Sequence, residues 1–450
     1  MNIDPIWLTT GVFLFFYVAI ILEEWLGANR VLLALGGAVT LWGLLAYLQD
    51  PLFKTFQALQ KSAHQTAQIT LFLLCVMMLV EWIRQNQGFE RLREWLLHDS
   101  AIEEVWRLTW LTFFLSAVID NMTSTLIMLT IIKGRYLEPR RQWTLVSLIV
   151  LASNAGGAWS PIGDVTTTML WIEGKVSAWG LIRGGVLAAL MNCLIPLLLC
   201  TPIFRGKSAS HMRSPLPTRL RPSQTSTQLM QPLVHLSKEG MVLSLGLLLI
   251  VMIPLASHLL DLAPSMGAFS SLLIVALLID PVFYAIKNTQ SHQPPRQGIN
   301  PSTEHFGVLR TFLKLDWSSV FFIFGILLCM GVLDETGFLS LLSGAMHEHL
   351  GTVFNQALTL GFLSAFLDNI PLVSASLGIY DPSLYPLDHP VWLLLAYCAG
   401  TGGSLLILGS AAGIVAMGQE GLKFTWYLLH FSWKALLGYL AGAFIFWLMR

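Results

Sequence analysis

The chain has 450 residues, 55% of them hydrophobic and only 12% charged, with 26 Lys and Arg balancing 26 Asp and Glu. Soluble globular chains carry roughly 25% charged residues, so the composition excludes an ordinary soluble enzyme or binding module, and no nucleic-acid partner is expected. Apolar runs of bilayer-spanning length recur from end to end. The chain therefore reads as an all-α polytopic membrane protein whose surroundings are the lipid bilayer.

In chain order, helices are expected at about Ile6–Leu26 and Val31–Leu48. The first apolar run lacks the basic n-region and A-x-A site of a signal peptide, and Glu23-Glu24 follow it directly, so it is expected to remain as a span. An amphipathic stretch, Lys54–Gln68, precedes a helix at Ile69–Ile83, and Arg84–Glu104 reads as a mixed-charge surface segment. In the next region, Trp106–Ile119 and Leu126–Ile132 are apolar and flank the polar run Asp120-Asn121-Met122-Thr123-Ser124-Thr125. Neither half spans comfortably, which predicts a re-entrant hairpin over 106–132 with its tip at Asp120.

The run A-S-N-A-G-G-A-W-S-P-I-G-D-V-T-T-T at Ala152–Thr168 lies inside an otherwise apolar span at 144–172. Gly156, Gly157, Pro161 and Gly163 cannot be threaded by a regular helix. Unwound backbone at membrane depth is tolerated only where it is buried in protein or lines a cavity. Ser153, Asn154, Ser160, Asp164, Thr166, Thr167 and Thr168 place oxygen ligands in that unwound part, the donors a hard cation prefers. A full span, Trp179–Phe204, closes the first half.

Residues 205–238, rich in Lys, Arg, Pro, Ser and Gln, read as a cytoplasmic linker. The second half, 239–450, is expected to hold helices at Met241–Leu260 and Met266–Ile286, a polar loop at Lys287–Leu315 and a helix at Trp317–Leu333. A loop at Asp334–His349, a hairpin over 355–379, a broken helix over 391–417 and a last span at Phe424–Leu448 complete it.

The halves repeat. F-L-S-A-V-I-D-N at Phe114–Asn121 returns as F-L-S-A-F-L-D-N at Phe362–Asn369, and Gly156-Gly157 with Gly163 returns as Gly402-Gly403 with Gly409. Five crossings and one non-crossing hairpin per half (1–204 and 239–450) force the second copy to be inverted, so two inverted-topology repeats are expected, each with a re-entrant hairpin and a broken transmembrane helix. On this plan 20 of the 26 basic residues fall on one side, which the positive-inside rule places in the cytoplasm, leaving both termini outside.

Buried Asp120, Asp164 and Asp368 would cost on the order of 8–10 kcal/mol unless protonated, paired or cation-bound. The alternative, a polar network that pins the hairpins and caps half-helices through Asn121, Asn154 and Asn369, is compatible with ligation. The five cysteines, Cys75, Cys193, Cys200, Cys329 and Cys398, lie in apolar segments without C-x-x-C and read as small hydrophobes. Gly206-Lys207-Ser208 lacks the first glycine of a P-loop, and no cofactor motif is present, so neither an ATP motor nor an enzyme is expected.

The Ala152–Thr167 run, Asp120-Asn121, Asp368-Asn369 and F-L-L-C-V-M-M-L-V-E-W-I-R-Q-N-Q-G-F at Phe72–Phe89 resemble the NhaD-type sodium/proton antiporters of the ion transporter superfamily. The resemblance implies exchange of Na+ or Li+ for H+ across the inner (cytoplasmic) membrane. It implies cation- and proton-binding roles for Asp120, Asn121, Asn154, Asp164, Thr166, Thr167, Ser364, Asp368 and Asn369. Glu81 falls on an acidic family position, and Thr123 and Ser153 are further candidates beside these motifs; a homodimer is left open. Two departures bear on pH sensing: Gln68 stands where the family usually has glutamate, and Arg84-Gln85-Asn86 where it usually reads acidic, small, His. The alternative activity is sodium-coupled transport of a carboxylate or oxyanion on the same fold, against which an aspartate at both hairpin tips argues.

Overall fold

The computed structural model describes all residues except 1–4, 22, 49–51, 90–91, 93–95, 97–99, 206–237, 280–310, 367–368, 382 and 450. The described residues are helical, with no strand among them. The helices of the first half are α1 (Pro5–Ile21), α2 (Arg30–Leu48), α3 (Leu52–Gln85), α4 (Ala101–Ser116), α5 (Asn121–Ile132), α6 (Pro139–Gly157), α7 (Val165–Ile172) and α8 (Ala178–Cys200). Those of the second are α9 (Lys238–Leu260), α10 (Pro264–Ile274), α11 (Trp317–Glu335), α12 (Phe338–Leu350), α13 (Val353–Leu363), α14 (Asn369–Ile379), α15 (Pro390–Gly402), α16 (Ala411–Glu420), α17 (Phe424–His430) and α18 (Ser432–Leu448). Among the described residues, five helices are long and apolar enough to cross a membrane, six when α17 and α18 are counted as one bent span.

Local sequence explains the helix starts around the site. Ser100 caps α4, accepting from the Glu103 N–H, and Glu103 and Glu104 occupy the positive first turn. Asp120 caps α5, Asp164 caps α7 and Ser410 caps α16 through their side-chain oxygens. The cap residues Asp164 (φ −145°, ψ 146°) and Ser410 (φ −142°, ψ 148°) share one extended conformation, so both broken helices restart with the same backbone geometry.

The α4–α5 segment turns back on itself. Glu104 in the first turn of α4 is fully buried and binds Arg135, just beyond α5, at 2.9 Å, and Tyr136 Oη donates to the same carboxylate at 3.2 Å. The α13–α14 segment does the same: Tyr380, just beyond α14, donates through Oη to Gln356 in the first turn of α13 at 3.2 Å. Both hairpins seat against the broken helices. Ser116 Oγ donates to Ser153 O at 2.6 Å, and Ser364 Oγ donates to Ala399 O at 2.9 Å. A methyl at Gly156 would lie 2.1 Å from Phe113 O, and one at Gly402 would lie 1.9 Å from Gly361 O. Only glycine admits backbones this close.

Four expectations change. Lys54–Gln68 and Ile69–Ile83 are not separate elements; α3 is one helix of 34 residues. No Gly or Pro interrupts Leu52–Gln85, and a change of polarity alone does not break a helix. At 1.5 Å per residue α3 is roughly 50 Å long, well beyond a bilayer core of about 30 Å. The loop expected at Asp334–His349 contains α12, which buries Leu339 and Met346 and donates from Ser343 Oγ to Ile379 O. The span expected at Phe424–Leu448 bends by 55° between α17 and α18. The helix expected at Met266–Ile286 runs to Ile279, with a π turn over Val275–Ile279; its remainder, most of the Lys287–Leu315 loop and nearly all of the 205–238 linker lie outside the described residues.

Candidate functional site

The unwound segment between α6 and α7 meets the one between α15 and α16 beside the turn of the first hairpin, and Asn154 joins them. Its Nδ2 donates to Ser404 Oγ at 2.8 Å and to Ser410 Oγ at 2.9 Å, and its Oδ1 accepts from Asn121 Nδ2 at 3.1 Å. One fully buried amide therefore ties the last turn of α6 to the start of α5 and to both sides of the break in the second half. Ser153 beside it accepts from Thr125 Oγ1 at 2.7 Å and donates to Val150 O at 2.9 Å.

Asp164 is buried at the restart of α7. Its Oδ1 accepts from the Thr166 N–H at 3.4 Å, and a methyl built on Gly400 would lie 3.3 Å from its Oδ2. The carboxylate thus lies against the second half as well as the first. Thr167 Oγ1 donates to Asp164 O at 2.9 Å and lies 3.5 Å from Gly157 O. Thr166 Oγ1 is buried and has no hydrogen-bond partner among the described residues. A buried hydroxyl left this way costs about 1–3 kcal/mol unless something else occupies it, so it is a ready oxygen ligand beside the carboxylate.

On the other side, the Asn369 amide faces Gly409 O at 3.2 Å and Ala399 O at 3.3 Å, so its NH2 donates to both, and Ser364 Oγ hydrogen-bonds the same amide. The N-termini of α5, α7, α14 and α16 and the C-termini of α4, α6, α13 and α15 all lie in or beside this cluster. The former present positive dipole ends that favour an ionised carboxylate, and the latter present carbonyls that suit a cation.

Of the expected site residues, Asn121, Ser153, Asn154, Asp164, Thr166, Thr167, Ser364 and Asn369 come together here. Asp120 sits at the hairpin turn next to Asn121, half-buried, and its carboxylate accepts from Thr123 N at 2.9 Å and from Thr123 Oγ1. Asp368 lies outside the described residues. Glu81 stands in the last turn of α3, where Arg84 binds it at 2.6 Å and Gln85 at 2.9 Å; these partners belong to its own helix. Arg84, one of the two family departures, is thus the partner of the acid at the acidic family position.

Three contributors were not among the expected site residues. Ser404 carried no signal, since its counterpart in the first copy is the apolar Ala158. Ser410 was signalled by its register with Asp164. Tyr427, on the short helix α17, donates from its buried Oη to Ser404 O at 2.6 Å and so braces the second unwound segment.

Paired broken helices, hairpins seated on them and a buried acid at their junction define a class: multi-pass helical membrane transport proteins with the site at a discontinuous-helix crossing. The family model described as citrate transporter matches residues 17–384. Sodium/proton antiporter 2 of Arabidopsis thaliana is 34% identical over 427 residues, covering 95% of both chains. Sodium/proton antiporter 1 of the same plant is 32% identical over 428 residues, covering 95% of this chain and 69% of its own length. The Na(+)/H(+) antiporter NhaD of Vibrio cholerae is 28% identical over 452 residues, covering 96% of this chain and 89% of its own. The chain belongs to the citrate transporter family and, within it, to the NhaD-type sodium/proton antiporters.

Proposed function

We propose that the protein is a secondary active antiporter that exchanges Na+ or Li+ for H+ across the cytoplasmic membrane, with cation and proton competing for Asp164. The observation that carries this reading is the position of Asp164: a buried carboxylate at the N-terminus of a half-helix, next to a residue, Thr166, whose buried hydroxyl has no hydrogen-bond partner among the described residues, and against the second half of the chain. A carboxylate away from water is stable when it is protonated or cation-bound, and not when it is bare. A cation that binds it displaces the proton, and a proton that binds it displaces the cation. Exchange follows if the site changes sides only when one of them is bound.

The alternation is attributed to two inverted-topology repeats, 1–204 and 239–450. In support, the first hairpin closes at Glu104 and Arg135, near the start of α6, whereas the second closes at Gln356 and Tyr380, near Tyr385 and Trp392 at the start of α15. Lys175, just beyond the end of α7, lies over the Trp392 ring, so the two closures sit at opposite ends of the first broken helix. The run of basic residues Lys133, Arg135, Arg140 and Arg141 at the Glu104–Arg135 end supports a cytoplasmic position for it and an outside position for both termini.

The second reading, carboxylate transport, is favoured by the match to the citrate transporter model and by the four half-helix N-termini. An acid at the centre of the site opposes it, because a bound anion and an ionised Asp164 would repel. The experiment is ΔpH dissipation in everted vesicles from an antiporter-deficient host, with Na+, Li+, K+ and citrate added in turn. Asp164→Asn, which keeps size and a hydrogen-bond acceptor but cannot ionise, should abolish the Na+ or Li+ response at wild-type membrane abundance. A response to citrate alone, or wild-type exchange in Asp164→Asn, would sink the proposal.

A further inference from the structure

A cavity of about 230 Å³ opens between α3, α7, α11 and α14 at the end of the molecule opposite the Glu104–Arg135 closure. Its rim carries exposed Lys61 and Asp334, and its wall narrows to buried Thr66 and Met169 and half-buried Ser374. Met169 lies five residues beyond Asp164, and Ser374 five beyond Asn369. At 1.5 Å per residue, the floor is therefore roughly 8 Å along each helix from the site. The innermost charged groups are Glu173 and Lys175. Lys175 is held over the Trp392 ring, 5.4 Å from its centre. Glu173 is held by one neutral donor, Gln65 Nε2, at 3.0 Å.

Two features of Glu173 are unexplained by local structure. It follows the C-terminus of α7, where the helix dipole disfavours a negative charge. Burial also pushes its carboxyl above the usual carboxylate range, against the opposing pull of Gln65, Lys175 and Lys61. A carboxylate kept in such a place, on the wall of a cavity whose floor presents hydroxyls, fits a ligand that is itself positive.

Resting on the exchange reading above, we propose that this cavity is the vestibule through which a hydrated monovalent cation reaches and leaves Asp164 from the Glu173 face, with Glu173 as its intermediate carboxylate ligand. Gln65 positions that carboxylate, and Thr66 and Ser374 supply oxygen between it and the site. Lys61 and Asp334, of opposite sign, are exposed at the solvent rim, and selection is assigned to the less exposed acid, Glu173.

The test uses full-length protein in membranes and a membrane-impermeant trimethylammonium methanethiosulfonate. The five native cysteines are all buried and stay in place. Lys61→Cys at the rim and Ser374→Cys at the floor are labelled in right-side-out and in everted vesicles. Both should label from one side only, and Na+ should slow labelling of Ser374→Cys at least five-fold while leaving Lys61→Cys unchanged. Glu173→Gln should raise half-saturating Na+ about ten-fold with little change in maximal exchange. Labelling at 61 but not at 374 from either side would overturn the vestibule. Protection of Ser374→Cys by citrate and not by Na+, or an unaltered half-saturation in Glu173→Gln, would overturn its assignment to a cation. Labelling does not require exchange, so Na+-protected labelling without ΔpH dissipation would fail the antiport reading and leave the vestibule standing.

Discussion

Replacing Asn154 by alanine tests whether one amide holds the two halves of the site together. The substitution removes hydrogen bonds to Ser404 at 2.8 Å, to Ser410 at 2.9 Å and from Asn121 at 3.1 Å, all of them buried. A buried hydrogen bond contributes about 0.5–1.5 kcal/mol net, and a partner left without one costs about 1–3 kcal/mol. Ser410 Oγ keeps the Gly413 N–H at 3.2 Å as a donor, which limits the damage there. Asn121 Nδ2 loses its acceptor and Ser404 Oγ its donor. The expected total is about 2–4 kcal/mol, spread between fold stability and the geometry of the site. If half reaches cation affinity, half-saturating Na+ rises on the order of five- to thirty-fold, since 1.4 kcal/mol is a factor of ten. The assay is Na+-dependent ΔpH dissipation in everted vesicles across a range of Na+ concentrations, paired with the thermal midpoint of the purified protein in detergent. A variant with wild-type midpoint and wild-type half-saturation would show that the bridge holds nothing.

Two other changes separate structure from function at named atoms. Thr166→Val keeps the shape but deletes a buried hydroxyl that has no hydrogen-bond partner among the described residues; stability should hold or rise while half-saturating Na+ rises several-fold, and an unchanged Na+ response would remove Thr166 Oγ1 from the site. Glu104→Gln leaves Arg135 buried without its counter-charge at the closure of the first hairpin, which should cost about 3–5 kcal/mol and appear as a large drop in the detergent thermal midpoint; a midpoint within two or three degrees of wild type would refute the view that this ion pair locks the hairpin.

The parts of this molecule that were legible in the chain are those where chemistry forbids alternatives. Gly156 and Gly402 announce backbone contacts that no side chain allows, and they bracket the breaks. The polar tip at Asp120-Asn121 sits between apolar runs too short to span, which leaves a turn as the only outcome. Other features depend on partners distant in sequence. The bond from Asn154 to Ser404 links residues 250 positions apart, and nothing local to Ser404 distinguishes it from any serine after two glycines. The bend between α17 and α18 brings Tyr427 onto the Ser404 carbonyl, but no Pro or Gly marks it in Phe424–Leu448 before Gly438. Continuous α3 was obscured for the opposite reason: its polarity changes halfway, and a helix that leaves the membrane looks like two elements to any reading based on hydropathy.

The asymmetry between the two restarts matters more than their likeness. Asp164 and Ser410 occupy the same backbone conformation and cap the restarts of the two broken helices, yet only one is an acid. Two carboxylates in one buried cluster would repel, and one would be held protonated. Such a group could not respond to an arriving cation. With a hydroxyl at 410 the two helix restarts carry one acid between them, neutral when it holds one proton and neutral again when it holds one monovalent cation. Neutrality in both loaded states minimises the cost of carrying the charge through low dielectric, while the bare site, with its uncompensated carboxylate, is the state that pays for crossing. On the exchange reading, this difference is what makes the occupied site mobile and the empty one not. Ser410→Asp should therefore impair exchange without improving Na+ binding, seen as a lower maximal ΔpH response at unchanged or raised half-saturating Na+. A variant that exchanges faster than wild type would show that the single-acid design is incidental.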